Sequence, residues 1–170
     1  MPELRLTQQV SDAFLPNPPQ TVGVAVSGGG DSMALLHLMH GLCTLHGCKL
    51  HAVTVDHGLR PESAQEAKDV GRFCATLGVP HDVLLWDDWD GKGNLQKAAR
   101  DARYRTMADW AKSKGVTTVA LGHTADDQAE TFLMRLARRS GVNGLSGIPQ
   151  RIIREGVTWV RPLLRAARAD

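Results

Sequence analysis

Thr21-Val22-Gly23-Val24-Ala25-Val26 runs straight into Ser27-Gly28-Gly29-Gly30-Asp31-Ser32, and apolar residues then recur at Met33, Leu35, Leu36, Leu38, Met39 and Leu42. The first six residues are small or β-branched and read as a buried strand. The last set has helical spacing, and three glycines join the two. The same alternation continues outward from this stretch. Strands are predicted at 50–55, 81–86 and 117–121. Helices are predicted at 62–77, stopped by Gly78, from the cap Asn94 to 114, and at 125–137. A helix over 3–14 precedes the first strand. A glycine-rich stretch at 141–150, expected to be ordered only by contact, leads into a hairpin over 152–160 that turns at Glu155-Gly156. Strands alternating with helices predict an α/β fold, a mostly parallel sheet covered by helices on both faces. Ligands of such sheets bind beyond the carboxyl ends of the strands. The loops that begin at Ser27, Asp56, Asp87 and Gly122 are therefore where chemistry is expected.

Composition narrows the class. The chain has 170 residues, 42% apolar and 22% charged, which suits one globular domain of roughly 100–200 residues. Cys43, Cys48 and Cys74 form no CxxC or CxxH pair, so neither a disulfide framework nor a structural zinc site is expected. Buried free thiols in a reducing, cytoplasmic compartment fit this count. No apolar run approaches the roughly 18 residues of a membrane span, and the first residues lack the order of a signal peptide. The net charge of +2 hides an asymmetry: residues 1–134 carry −4 and residues 135–170 carry +6, with eight arginines. That tail is either a solvated basic face or a surface for a polyanion.

The loop from Ser27 to Ser32 has the make-up of a phosphate cradle. Its glycines let backbone N–H groups approach a ligand, and the helix that follows adds a partial charge of about +0.5. No lysine follows the glycines, so it is not a Walker A loop, and Met33 stands where the dinucleotide fingerprint needs glycine. Asp31 is the odd residue, because a carboxylate among phosphate-binding amides repels phosphate unless a cation intervenes. Mg²⁺ bridging Asp31 to phosphate oxygens is one reading, and a helix cap is the other.

These residues resemble the SGGxDS loop of the PP-loop, or N-type, ATP pyrophosphatases. Val55-Asp56-His57-Gly58-Leu59-Arg60, Asn94-Leu95-Gln96 with Ala102-Arg103-Tyr104, Leu121-Gly122-His123 through Asp126-Asp127-Gln128-Ala129-Glu130-Thr131, and Arg161-Pro162-Leu163-Leu164 narrow the resemblance to the tRNA(Ile)-lysidine synthetase family over roughly residues 21–165. The resemblance implies an adenine nucleotide α-hydrolase-like fold. It also implies ATP-dependent ligation of free lysine to C2 of the wobble cytidine of a tRNA(Ile) with a CAU anticodon, through an adenylylated cytidine. On the same footing, Ser27, Gly28, Gly29, Gly30, Asp31, Ser32, Val55, His57 and His123 would contact ATP. Asp31 would hold Mg²⁺, Arg103 would face the α-phosphate, and Asp127 with Glu130 would recognise lysine. Read without the resemblance, Thr124-x-x-Asp127 is a capping-box pattern and Arg103 an ordinary helix arginine. Oligomeric state is not legible.

The family pattern divides the chain into a helix and linker at 1–20, a catalytic unit at 21–165 and the start of an extension at 166–170. One departure stands out: Arg139 occupies the place of a family glycine. A tRNA thiolase, an amidotransferase-type synthetase or a non-catalytic nucleotide-binding module are the alternatives. The cysteine spacing disfavours thiolation.

Overall fold

Side-chain alternation along β1 (Thr21–Ala25) divides the core in two. Val22 and Val24, with Val26 just beyond the strand, face one side, and Ala25 faces the other. The computed structural model describes residues 2–58, 60–87, 90–138 and 147–167. The remaining elements are α1 (Pro2–Phe14), α2 (Gly30–His46), β2 (Lys49–Asp56), α3 (Glu62–Leu77), β3 (His81–Leu85), α4 (Leu95–Ser113), β4 (Thr118–Ala120), α5 (Ala125–Ala137), β5 (Arg151–Arg154) and β6 (Val157–Val160). Six strands form one sheet in the order β3-β2-β1-β4-β6-β5, parallel except for the β5–β6 hairpin. This is the mostly parallel architecture that the strand–helix alternation predicts.

Buried residues of α1, α2 and α3 (Val10, Phe14, Leu35, Leu36, Met39, Val70, Cys74) pack on the face of Val22 and Val24. Tyr104, Met107, Ala108, Trp110 and Ala111 of α4 cover the opposite face with Val119 and Trp159. Helices thus lie on both faces, and burying two layers of aliphatic side chains supplies the main stabilisation. Glu155 (φ 54°) and Gly156 (φ 75°) turn the β5–β6 hairpin with two positive φ angles, the geometry preferred for a two-residue connection.

The strand order reverses beside β1. From β1 the chain moves to β2 and β3 on one side, then crosses to β4 on the other. A crevice opens at such a switch point, beyond the carboxyl ends of β1 and β4.

Candidate active site

The loop after β1 is built around Ser32. Its Oγ accepts the Ser27 N–H at 3.1 Å, donates to the Gly29 carbonyl at 3.0 Å and lies 3.1 Å from Ser27 Oγ. Ser32 is buried, so its hydroxyl serves as the loop's internal brace. Gly28 sits at φ 92°, which L side chains rarely adopt. Gly29 is the N-cap residue of α2, and Asp31 lies in the first turn of that helix. The loop after β4 presses directly on this turn. A Cβ at Gly122 would stand 3.0 Å from Ser32 Cα and 3.1 Å from Ser32 N, so only glycine allows the approach.

Two cavities meet at this end of the sheet. A cavity of about 560 Å³ is lined by Ser27, Gly29, Gly30, Asp31, Ser32, Arg103, Gly122, His123 and Asp127. A smaller one of about 190 Å³ is lined by the apolar Val26, Val53, Val55 and Met107 and by the polar Thr54, His57, Ser63 and Glu66. Ala25, Ser27 and Arg103 line both. Backbone donors and the carboxylates of Asp31 and Asp127 line the first, apolar residues line the second, and together they have the make-up of a joined site for an anionic and an apolar group.

Of the residues singled out by sequence, Ser27, Gly29, Gly30, Asp31, Ser32, Val55, His57, Arg103, His123 and Asp127 line one or both cavities, and Gly28 does not. Glu130 lies on the solvent-exposed side of α5 and lines neither. Asp127 forms the capping box of α5, with its Oδ2 accepting the Thr124 N–H at 2.7 Å and the Thr124 hydroxyl at 3.1 Å. Both bonds use one oxygen. Asp56 is committed to the β2–α3 loop, where its Oδ1 accepts from Gly58 N–H at 2.9 Å and Ser63 Oγ at 2.7 Å. Those bonds hold its pKa below the usual carboxylate range.

The charges converge on one wall. Arg103 is half-buried, and burial, with Arg100 and Arg161 nearby, lowers its pKa against a smaller opposing effect of Tyr104. His57 packs edge-on against Trp86 at 5.5 Å, and its buried Nδ1 has no partner among the described residues. Burial and Arg103 hold His57 toward neutrality. His123 is pushed down to about 4, first by burial and then by Arg161 and Arg103.

Arg161 belongs to this wall; the sequence placed it in the basic tail and in the Arg161-Pro162-Leu163-Leu164 motif but gave it no role in the site. Its position was a usable signal, because it directly follows the strand run 157–160 and is therefore at a strand end. The described arginines of the tail are put to different uses. Arg151 donates to the Ala13 carbonyl at 3.0 Å, and Arg154 pairs with Asp101 at 2.7 Å while stacking on Tyr104 at 4.3 Å. Arg161 is buried, whereas Arg138 and Arg165 are exposed. Arg139 and Arg168 lie outside the described residues, as does most of the glycine-rich stretch. The described end of that stretch is clamped by Gln128, which bonds the Ile148 carbonyl and N–H at 2.7 Å each.

The fold and the loop at its switch point define a nucleotide-binding α/β domain, and the chain belongs to the PP-loop domain family, whose model matches residues 2–170. Similar proteins of that family include tRNA(Ile)-lysidine synthases. The chain is 55% identical over 163 residues to the tRNA(Ile)-lysidine synthase of Ruegeria pomeroyi, covering 96% of this chain and 39% of that protein. It is 46% identical over 175 residues to the tRNA(Ile)-lysidine synthase of Zymomonas mobilis, covering 99% of this chain and 52% of that protein. The chain thus spans about two-fifths to one-half of the length of these relatives. Among solved structures, the U34-tRNA thiolase NcsA from Methanococcus maripaludis with its 4Fe-4S cluster superposes with a TM-score of 0.81 at 17% identity, covering 98% of this chain and 59% of that one. That likeness is one of fold.

Proposed function

We propose that this chain carries the ATP-handling and ligating site of a tRNA(Ile)-lysidine synthase, working in the cytoplasm. The observation that carries the reading is the joined cavity, which gathers the Ser27–Ser32 loop, Arg103, His123 and Asp127 at the switch point. ATP lies with its base against Val26, Val53 and Val55 and its phosphates on the backbone donors of the loop. Arg103, which lines both cavities, faces the α-phosphate and stabilises charge that develops as the cytidine C2 oxygen attacks the α-phosphorus and the bond to the β-phosphate breaks, releasing pyrophosphate. The amine of free lysine then displaces AMP at C2 of the wobble cytidine of tRNA(Ile) with its CAU anticodon. Asp127, and Glu130 one turn further along α5, attract the lysine's cationic groups. Asp127 keeps Oδ1 for that purpose while Oδ2 caps the helix.

A divalent cation fits the donor set. Asp31 and Asp127 both line the larger cavity beside the backbone donors of the loop, which gives a hard cation carboxylate oxygens next to the place assigned to the phosphates. Mg²⁺ is suited to that, since it is commonly held by one or two carboxylates plus phosphates. Asp31 would hold it, and it would neutralise charge on the phosphate chain.

Sulfur transfer is the reading that the cysteines argue against. Cys43 and Cys48 line a cavity with Leu50 and Val79, and Cys74 is buried in the core; none lines the two cavities of the site.

The test is incubation of the chain with ATP, Mg²⁺, lysine and tRNA(Ile), followed by mass spectrometry of the nucleosides and a pyrophosphate assay. Pyrophosphate release and a cytidine heavier by one lysine less water are expected. Asp31→Asn should fold normally and release none. Pyrophosphate release at the parent rate by Asp31→Asn would remove that residue from the site.

A further inference from the structure

Arg161 stands at the carboxyl end of β6 with 1% exposure. Its Nε–H donates to His123 Nδ1 at 2.9 Å, and its two terminal nitrogens donate to the Pro149 carbonyl and the Tyr104 hydroxyl, each at 2.9 Å. Among the described residues no carboxylate pairs with it. A buried cation whose partners are all neutral is costly to keep, so a packing role alone does not account for it.

The bond to His123 dictates a tautomer. A guanidinium has donors and no acceptor, so the ring nitrogen facing it must carry a lone pair. The proton of the neutral imidazole is then on Nε2. Protonating the ring would set N–H against N–H. The charged groups around the ring are Arg161, Arg103 and Arg100, opposed by Asp127 alone. His123 also lines the cavity that holds the Ser27–Ser32 loop.

We propose that Arg161 is a positioning residue that locks His123 in its neutral Nε2–H tautomer, so that the ring is a fixed hydrogen-bond donor to a phosphate oxygen of the nucleotide and not a proton acceptor. This rests on the reading of the cavity as an ATP site. It follows that His123 does not take up the proton released when an amine attacks.

The test uses the whole chain with isotope-labelled histidine. A two-bond proton–nitrogen correlation spectrum should show His123 as the Nε2–H tautomer between about pH 6 and pH 8. Arg161→Met should turn His123 into a mixture of tautomers and raise the pH at which it titrates, while burial and Arg103 still hold it below the ordinary histidine value. If that variant does not fold, Tyr104→Phe and His123→Asn decide. Tyr104→Phe removes one acceptor of Arg161 and should leave the tautomer unchanged. His123→Asn keeps an acceptor for Arg161 and loses the outer donor, so it should fold and bind ATP about tenfold more weakly. An Nδ1–H or protonated His123 in the parent, or ATP affinity unchanged in His123→Asn, would overturn the proposal. If the parent bound no ATP, the nucleotide reading would fall and the phosphate-donor role with it, while the spectrum would still report whether Arg161 sets the tautomer.

Discussion

Gly122→Ala is the substitution that most directly probes how the two loops of the site are joined. The added methyl would stand 3.0 Å from Ser32 Cα, 3.1 Å from Ser32 N and 3.4 Å from the Asp31 carbonyl carbon. Ordinary carbon contacts begin near about 3.5 Å, so the two backbones must separate by several tenths of an ångström. No side chain can swing aside, because all three atoms belong to the main chain at the start of α2. Overpacking of this kind costs about 1–3 kcal/mol, which in a domain of this size lowers the melting temperature by roughly 2–12 °C. The displaced segment also carries the phosphate loop, so ATP affinity should fall by about tenfold or more. Gly41→Ala is the matched control. It adds the same methyl within α2, where nothing lies within 4 Å, and should raise stability by about 0.5–1 kcal/mol. Differential scanning calorimetry and calorimetric ATP titration measure both quantities. A Gly122→Ala protein that melts and binds like the parent would show that the loops do not touch in this way.

Glu130→Gln should raise the lysine requirement by about ten- to a hundredfold at unchanged stability, since Glu130 is exposed and unbonded among the described residues. Asp127→Asn should show the same kinetic effect and, by disrupting the capping box, also lose about 1 kcal/mol in thermal melts. Replacing Arg138 and Arg165 together by Ala should flatten the salt dependence of tRNA binding by between about one and two units of slope. Arg154→Ala should instead lower stability at constant slope, because Arg154 is engaged with Asp101 and Tyr104. Asp82 accepts from Trp110 Nε1 at 2.9 Å and lies 3.2 Å from Lys114 Nζ. The Trp110 hydrogen bond is the first cause that lowers its pKa in the folded state, and Lys114 adds to it. Its contribution is complete above the unfolded value of about 3.9 and is lost as pH falls through the folded one. Acid titration of Asp82→Asn should therefore show a shallower loss of stability below about pH 4 than the parent.

The sequence by itself determined the order of elements and most of their boundaries, because local signals decide those. Asn94 accepts from the Gln96 and Lys97 N–H groups as its side chain suggests, and Gly78 stops α3 at φ 68°. The loops beyond β1 and β4 were also legible, since strand-to-helix junctions sit at the carboxyl end of a parallel sheet wherever they occur. What tertiary structure alone decided is the division of labour within one residue type. The arginines from 135 onward look alike along the chain. Yet one is buried on His123, one stacks on Tyr104, one reaches a backbone carbonyl of α1, and two remain in solvent. That outcome depends on β6 pairing with β4 and on α4 covering the same face of the sheet. Both are contacts between segments tens of residues apart, which no local pattern encodes. Gly122 illustrates the same limit: its chemistry is plain in the sequence, but the backbone it must admit comes from Ser32, and only the folded sheet brings the two together.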